Sequence, residues 1–115
     1  MRMCWAIAAV SLALGVSAPA FAADAGVPGG LAVARANACM GCHAVDRKLV
    51  GPSFQQVAQK YKGNAGAPAL LARKVKEGGA GVWGAIPMPA HPSMSDADIR
   101  TVVDWVLAGA PATAK

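Results

Sequence analysis

Two cysteines and a histidine lie close together in the segment Cys39-Met40-Gly41-Cys42-His43. Thiols three positions apart lie on one side of a helical turn, where each can form a thioether with one vinyl group of the same haem. The histidine follows directly and would then lie under the iron as an axial ligand. The segment therefore predicts a covalently attached haem whose iron is bound on one side by His43.

Three other uses of these residues explain the segment less well. A disulfide between Cys39 and Cys42 suits an oxidising compartment, but so short a loop gains little chain entropy. A thioredoxin-like redox pair requires the segment to open a helix within a βαβ unit, and no such pattern surrounds it. Zinc requires about four ligands, and after residue 22 the only cysteine or histidine outside the segment is His91.

The beginning of the chain has the pattern of a secretory signal peptide, predicted here for residues 1–22. Arg2 precedes an apolar run from Trp5 to Val16, and Ala20-Phe21-Ala22 offers a small-residue cleavage site. The run is shorter than the roughly 20 apolar residues of a membrane helix. We therefore expect export to the periplasm and no stable membrane insertion after cleavage, with an uncleaved anchor as the alternative.

The remainder is expected to form one small domain, residues 31–115, after a flexible lead-in rich in glycine and alanine, residues 23–30. A chain of this size buries only about two thirds of its surface, and it commonly needs a disulfide, metal or cofactor to be stable. Its apolar content is largely alanine, so its own side chains would fill a core poorly. A haem would supply the missing core.

The sequence patterns predict an all-α domain of about four helices and no strand. The predicted helices cover residues 31–38, 53–60, 68–77 and 96–108. The fourth has the clearest pattern, because Ser95 is a good N-cap and an apolar stripe follows it at helical spacing. Three prolines within residues 81–92 exclude helix interior there and predict an irregular, stiff loop.

Four further segments of the sequence carry a resemblance to a known family. They are Val50-Gly51-Pro52, Gly81-Val82-Trp83-Gly84, Ile86-Pro87-Met88-Pro89 and the helix end Trp105-Val106-Leu107. With the cysteine segment, they make residues 27–109 resemble the short bacterial class I cytochromes c of the c-551 type. The resemblance implies helices wrapped around one haem c, and an electron carrier, not an enzyme, whose iron cycles between Fe(III) and Fe(II).

The resemblance also implies the second iron ligand. In that family a methionine in the proline-rich loop binds the iron, and Met88 has the matching position. A thioether suits ferrous iron, and a Met/His pair raises the reduction potential. His91 is the alternative ligand, although we favour an exposed loop imidazole for it, whereas Met94 is expected to pack and Met40, inside the cysteine segment, would lie on the wrong side of the ring.

Three supporting roles follow from the same resemblance. Pro52 would accept a hydrogen bond from the outer nitrogen of His43 and so fix the orientation of the ring. Trp83 would direct its indole N–H at a haem propionate. Lys74, or else Arg73, would place a positive charge near the same propionate.

The chain is basic, with 11 Lys and Arg against 6 Asp and Glu and a formal net charge of +5. Excess positive charge steers a protein toward acidic partners, and export argues against nucleic acid. We expect a monomer that meets acidic redox proteins through cations near the haem edge, for which Arg47, Lys48, Lys60 and Lys62 are candidates. The alternatives are the haem subunit of a larger exported oxidoreductase and a small haem peroxidase, which needs an open sixth ligand position.

Overall fold

The computed structural model of the protein describes residues 27–113 together with Gly15. The predicted signal peptide, residues 1–22, and residues 23–26 of the predicted lead-in lie outside the described residues, Gly15 excepted. The elements are α1 (Gly29–Ala36), a 3-10 turn (Cys39–Gly41), α2 (Phe54–Lys60), α3 (Ala67–Glu77) and α4 (Asp96–Leu107). Residues 27–113 contain two isolated β-bridges but no strand, so the predicted all-α fold is confirmed. None of the helices in this range is long and apolar enough to cross a membrane.

The first helix begins two residues earlier than predicted. Gly29 and Gly30 were expected in the flexible lead-in, but they form the first turn of α1. Gly30 is buried against Trp105 of α4, where a Cβ atom would overlap the tryptophan side chain. Glycine is a poor helix former in isolation, and here the missing side chain allows α1 to approach α4 closely.

Short polar side chains define the beginnings of α2 and α4. At α2, the Ser53 hydroxyl accepts a hydrogen bond from the backbone N–H of Gln56 (3.0 Å), and the Gln56 side chain accepts one from the backbone N–H of Ser53 (2.8 Å). At α4, the Ser95 hydroxyl accepts a hydrogen bond from the backbone N–H of Asp98 (3.1 Å). Such caps satisfy N–H groups that have no partner within the helix. They confirm the predicted start of α4, whereas α2 begins at Phe54, one residue later than predicted, because Ser53 is its cap.

All three other helices pack against α4, which lies at the centre of the domain. The core consists of Leu31, Ala34, Phe54, Val57, Met94, Ile99, Val102, Val103, Trp105, Val106 and Ala110. Met94 is only 4% exposed and therefore packs as predicted. The apolar stripe of α4 has a second role, because Val102, Val103 and Val106 also form one wall of an open cleft.

The proline-rich segment between α3 and α4 contains no helix, in agreement with the prediction. Its course is fixed by backbone hydrogen bonds to α3 and to the turn that ends it. Gly79 and Met88 exchange two N–H···O bonds, of 3.0 and 2.8 Å, and the N–H of His91 donates to the carbonyl of Val75 (3.0 Å). The segment therefore returns to α3 at two points, on either side of Pro89.

Candidate functional site

The cysteine segment forms the 3-10 turn, which places both thiols on one side. In a 3-10 helix, side chains three positions apart eclipse each other, and Cys39 and Cys42 both line the cleft. The chain enters this turn through Ala38, whose φ of 59° lies in the left-handed region. The backbone N–H of His43 donates to the carbonyl of Cys39 (2.9 Å) and closes the turn. The two thiols are half-buried and free.

The surroundings of the Cys39 thiol do not favour a reactive thiolate. Burial raises the pKa of the Cys39 thiol. A backbone hydrogen bond lowers the pKa by a smaller amount, and the neighbouring Cys42 raises it further. Thiol–disulfide exchange instead requires an attacking thiol with a lowered pKa. Residues 27–113 also contain no group of three or more His, Cys, Asp or Glu side chains able to hold a metal ion.

The imidazole of His43 is oriented by the backbone of Pro52. Its Nδ1 lies 2.7 Å from the Pro52 carbonyl oxygen, and a carbonyl can only accept a hydrogen bond. Nδ1 therefore carries the hydrogen, which leaves the lone pair of Nε2 free to bind a metal. The structure thus places Pro52 in the contact that the sequence resemblance implied.

Both thiols and His43 line a cleft of about 450 Å³, a size within the range of small-molecule and cofactor sites. Helices α3 and α4 supply apolar walls through Leu71, Val75, Val102, Val103 and Val106. The proline-rich segment lines the same cleft. The fold therefore brings the two parts of the sequence that were predicted to bind the haem to one site.

Met88 is the only methionine of residues 27–113 that lines this cleft. Its backbone is held by the two hydrogen bonds to Gly79. Gly78 must remain a glycine, because its φ is 72° and a Cβ atom there would lie 2.5 Å from the Met88 carbonyl oxygen. The glycine pair that ends α3 therefore also determines where the Met88 backbone lies.

His91 lies in the same cleft as Met88. Its ring is half-buried, so the prediction of a solvent-exposed loop imidazole is wrong. The cause is the hydrogen bond from its backbone N–H to Val75, which draws the residue against α3. Its Nδ1 is buried and has no hydrogen-bond partner among the described residues.

The predicted propionate partners lie at the opening of the cleft. Trp83 lines it and is 42% exposed, and Lys60 Nζ lies 5.4 Å from the centroid of a Trp83 ring, within the range of a cation–π contact. Lys74 also lines the cleft, whereas Arg73 does not. The missing side chain of Gly79 leaves room for the Lys74 ammonium, which lies 2.7 Å from the position of a Cβ atom there.

We use the term cleft rim for five exposed apolar residues that line the cleft: Leu49, Val50, Val82, Trp83 and Ile86. Of the cations proposed to orient partners, Lys48 lines the cleft and Lys60 contacts the rim through Trp83. Arg47 lies 3.6 Å from the carboxylate of Asp46, and Lys62 is outside the cleft. The structure therefore brings two of the four candidate cations to the rim.

Sequence reasoning missed the neighbours of the His43 ring. Phe54 stacks on it, with a centroid distance of 5.0 Å and an interplanar angle of 21°. A Cβ atom on Gly51 would lie 2.7 Å from His43 Cε1. Spacing along the chain does not show which core residue faces the imidazole, so the contact with Phe54 could not be predicted.

The residues of the cleft fit a haem. Two thiols are available to form thioether bonds. The His43 Nε2 lone pair and the Met88 thioether could bind the iron, and the Lys74 ammonium could pair with a propionate. Apolar walls match the porphyrin ring. The rim residues, of which Ile86 is the most exposed at 68%, would contact the apolar porphyrin ring.

Comparisons with known proteins point to one family. Residues 29–110 match the model of the cytochrome c family. The chain is 55% identical over 69 residues to cytochrome c-551 of Azotobacter vinelandii, covering 60% of this chain and 83% of that protein. It is 51% identical over 71 residues to cytochrome c2 of Rubrivivax gelatinosus, covering 60% and 84%. The crystal structure of Nitrosomonas europaea cytochrome c552 superposes with a TM-score of 0.65 at 44% identity, covering 67% of this chain and 95% of that one.

Proposed function

Because this chain belongs to the cytochrome c family, we propose that it is a periplasmic carrier of single electrons whose iron is bound by His43 and Met88. It holds one haem c through thioether bonds to Cys39 and Cys42. When bound, the haem supplies an iron that accepts and returns one electron. The observation that carries the ligand assignment is that these four side chains line one apolar cleft. Export would use residues 1–22 as a cleaved signal peptide, ahead of a lead-in and the domain predicted for residues 31–115.

Each axial ligand is held by its own backbone contacts. The hydrogen bond from His43 Nδ1 to Pro52 fixes the tautomer and increases the basicity of Nε2. Met88 is held by Gly79, and the flanking Pro87 and Pro89 restrict the backbone, so little entropy remains to be lost on binding. If His43 and Met88 both bind the iron, they would leave it no coordination position for a substrate.

The walls and the opening of the cleft have different electrostatic roles. The apolar side chains of α3 and α4 lower the local dielectric constant, which disfavours the extra positive charge of the oxidised centre and raises the reduction potential. At the opening, Lys74 and the indole N–H of Trp83 would compensate the negative charge of a propionate. The resulting site would have mainly apolar walls, with charged groups at its opening.

The cleft rim is the surface on which we expect acidic redox proteins to dock. Its apolar residues are accompanied by the ammonium groups of Lys48, Lys60 and Lys74. The acidic residues of α4, Asp96, Asp98 and Asp104, do not line the cleft. A monomer with this charge distribution would form small, short-lived complexes that weaken as salt is added.

Reversing one charge at the rim tests this docking surface. In Lys48→Glu at low ionic strength, we expect oxidation of the reduced protein by anionic hexacyanoferrate(III) to slow by roughly two- to tenfold. Reduction of the oxidised protein by cationic hexaammineruthenium(II) should accelerate. Both rates are measured by stopped-flow absorbance.

Arg35→Glu on α1 is the control, because Arg35 is exposed and outside the cleft and the change in net charge is the same. It should alter both rates less than Lys48→Glu, and the difference should vanish in high salt. Equal effects of the two variants would show that only net charge matters and would contradict the docking surface.

Binding of carbon monoxide and cyanide separates a carrier from a catalyst. Since both axial positions are filled, we expect slow or undetectable binding of carbon monoxide to the reduced protein and of cyanide to the oxidised protein. Rapid binding to the wild type would instead support the small peroxidase and contradict the proposed ligation. Purification of the native protein tests the subunit alternative, since that alternative requires a larger chain to co-purify.

A further inference from the structure

The imidazole of His43 belongs to a row of three aromatic side chains. Phe54 stacks on it nearly in parallel, at a centroid distance of 5.0 Å and an angle of 21°. The edge-on contact of Phe54 with Trp105 follows, at 5.2 Å and 70°. Phe54 and Trp105 are buried core residues, so the row joins the predicted iron ligand to the centre of the domain.

The other two members of the row, Phe54 and Trp105, have hydrogen bonds that do not involve the imidazole. The backbone N–H of Phe54 donates to the carbonyl of Ala44 (3.0 Å), and the indole N–H of Trp105 donates to the carbonyl of Pro111 (2.9 Å). Phe54 is also a buried core residue, and a closely packed core leaves it no room to follow a moving neighbour. Rotation of the His43 ring out of its plane would therefore press its edge into the face of Phe54.

Two more neighbours limit the same ring from other directions. The Pro52 carbonyl is 2.7 Å from Nδ1, and the backbone of Gly51 lies so close that a Cβ atom there would be 2.7 Å from Cε1. Gly51 has no positive φ, so backbone conformation does not require a glycine here. Its missing side chain instead gives the imidazole space.

We propose that Phe54 and Gly51 are positioning residues that fix the rotation of the His43 imidazole about its bond to the metal. The proposal rests on the proposed function, because it takes His43 to be an iron ligand. A ligand held in one orientation in both oxidation states needs no rearrangement when an electron arrives, which favours fast transfer. Phe54 provides the flat face, and Gly51 provides the space beside it.

Electron paramagnetic resonance of the oxidised, haem-loaded protein tests this orientation, because the g-values of low-spin ferric iron depend on the plane of an axial imidazole. Phe54→Leu retains an apolar side chain but removes the flat face, so we expect its signals to broaden or divide into several species. Phe54→Tyr retains the face and should restore a single species. Gly51→Ala adds a methyl group beside Cε1 and should shift the g-values while keeping one species.

Ile99→Ala is the control for lost stability, because Ile99 is a buried core residue that does not line the cleft. It should lower the melting temperature and leave the wild-type g-values unchanged. Wild-type g-values in both Phe54→Leu and Gly51→Ala would overturn the positioning role. A wild-type spectrum without a low-spin signal would instead overturn the proposed ligation, so the two failures are distinguishable. Gly51 is not in the buried core, and its variant provides the test if Phe54→Leu does not fold.

Discussion

Met88→Ala is expected to lose the weak far-red absorption band that reports a bond between methionine sulfur and ferric iron. Its reduction potential should fall, on the order of 100 mV, because a soft thioether that favours the ferrous state is replaced by a harder ligand. No second methionine of residues 27–113 lines the cleft, and Met94 is buried in the core. Absorption spectra of both oxidation states and a potentiometric titration measure the two effects.

His91 supplies the control for this prediction. His91→Ala alone should retain the far-red band, because Met88 remains in place. In Met88→Ala, the imidazole of His91 lies in the same cleft, so the protein stays low-spin if that ring binds the iron. The double variant should then become high-spin and bind carbon monoxide rapidly. Absence of the band from the wild type, together with loss of the low-spin spectrum in His91→Ala, would contradict ligation by Met88.

The beginning of α4 could be predicted, and that of α2 to within one residue, because their determinants are local. Ser53 and Ser95 each cap an N–H group three residues further along the chain, and this spacing is visible in the sequence. The beginning of α1 depends instead on a tertiary contact. Gly30 is helical because it packs on Trp105 of α4, and the propensity of glycine gives no indication of that contact.

The same distinction applies to the site. That both thiols and His43 lie together could be predicted, because they are close neighbours in the sequence and line one cleft. The contact of Lys60 with Trp83 joins residues 23 positions apart, and no periodic pattern relates them. His91 was placed wrongly for a similar reason, since its burial follows from a backbone bond to Val75 on another element.

A chain in which Cys39 and Cys42 are both replaced by alanine is expected to be largely unfolded, because it cannot retain the haem covalently. Without the ring, the apolar walls that Leu71, Val75, Val102, Val103 and Val106 give the cleft would face water. A small domain has a total stability of only about 5–15 kcal/mol to offset that exposure. Far-ultraviolet circular dichroism should show little helix and no cooperative thermal transition.

The cause of unfolding can be separated from the substitutions themselves by adding free haemin to the double variant. His43 and Met88 remain available to bind its iron, so part of the helix content should return with a low-spin absorption spectrum, by the stabilisation that any ligand of the folded state provides. Single Cys39→Ala, with one thioether left, should lie between the double variant and the wild type. A cooperative, fully helical double variant without haemin would show that the side chains fill the core alone. The apolar walls of α3 and α4 would then be stable without a bound ring, and the haem would be required for electron transfer but not for folding.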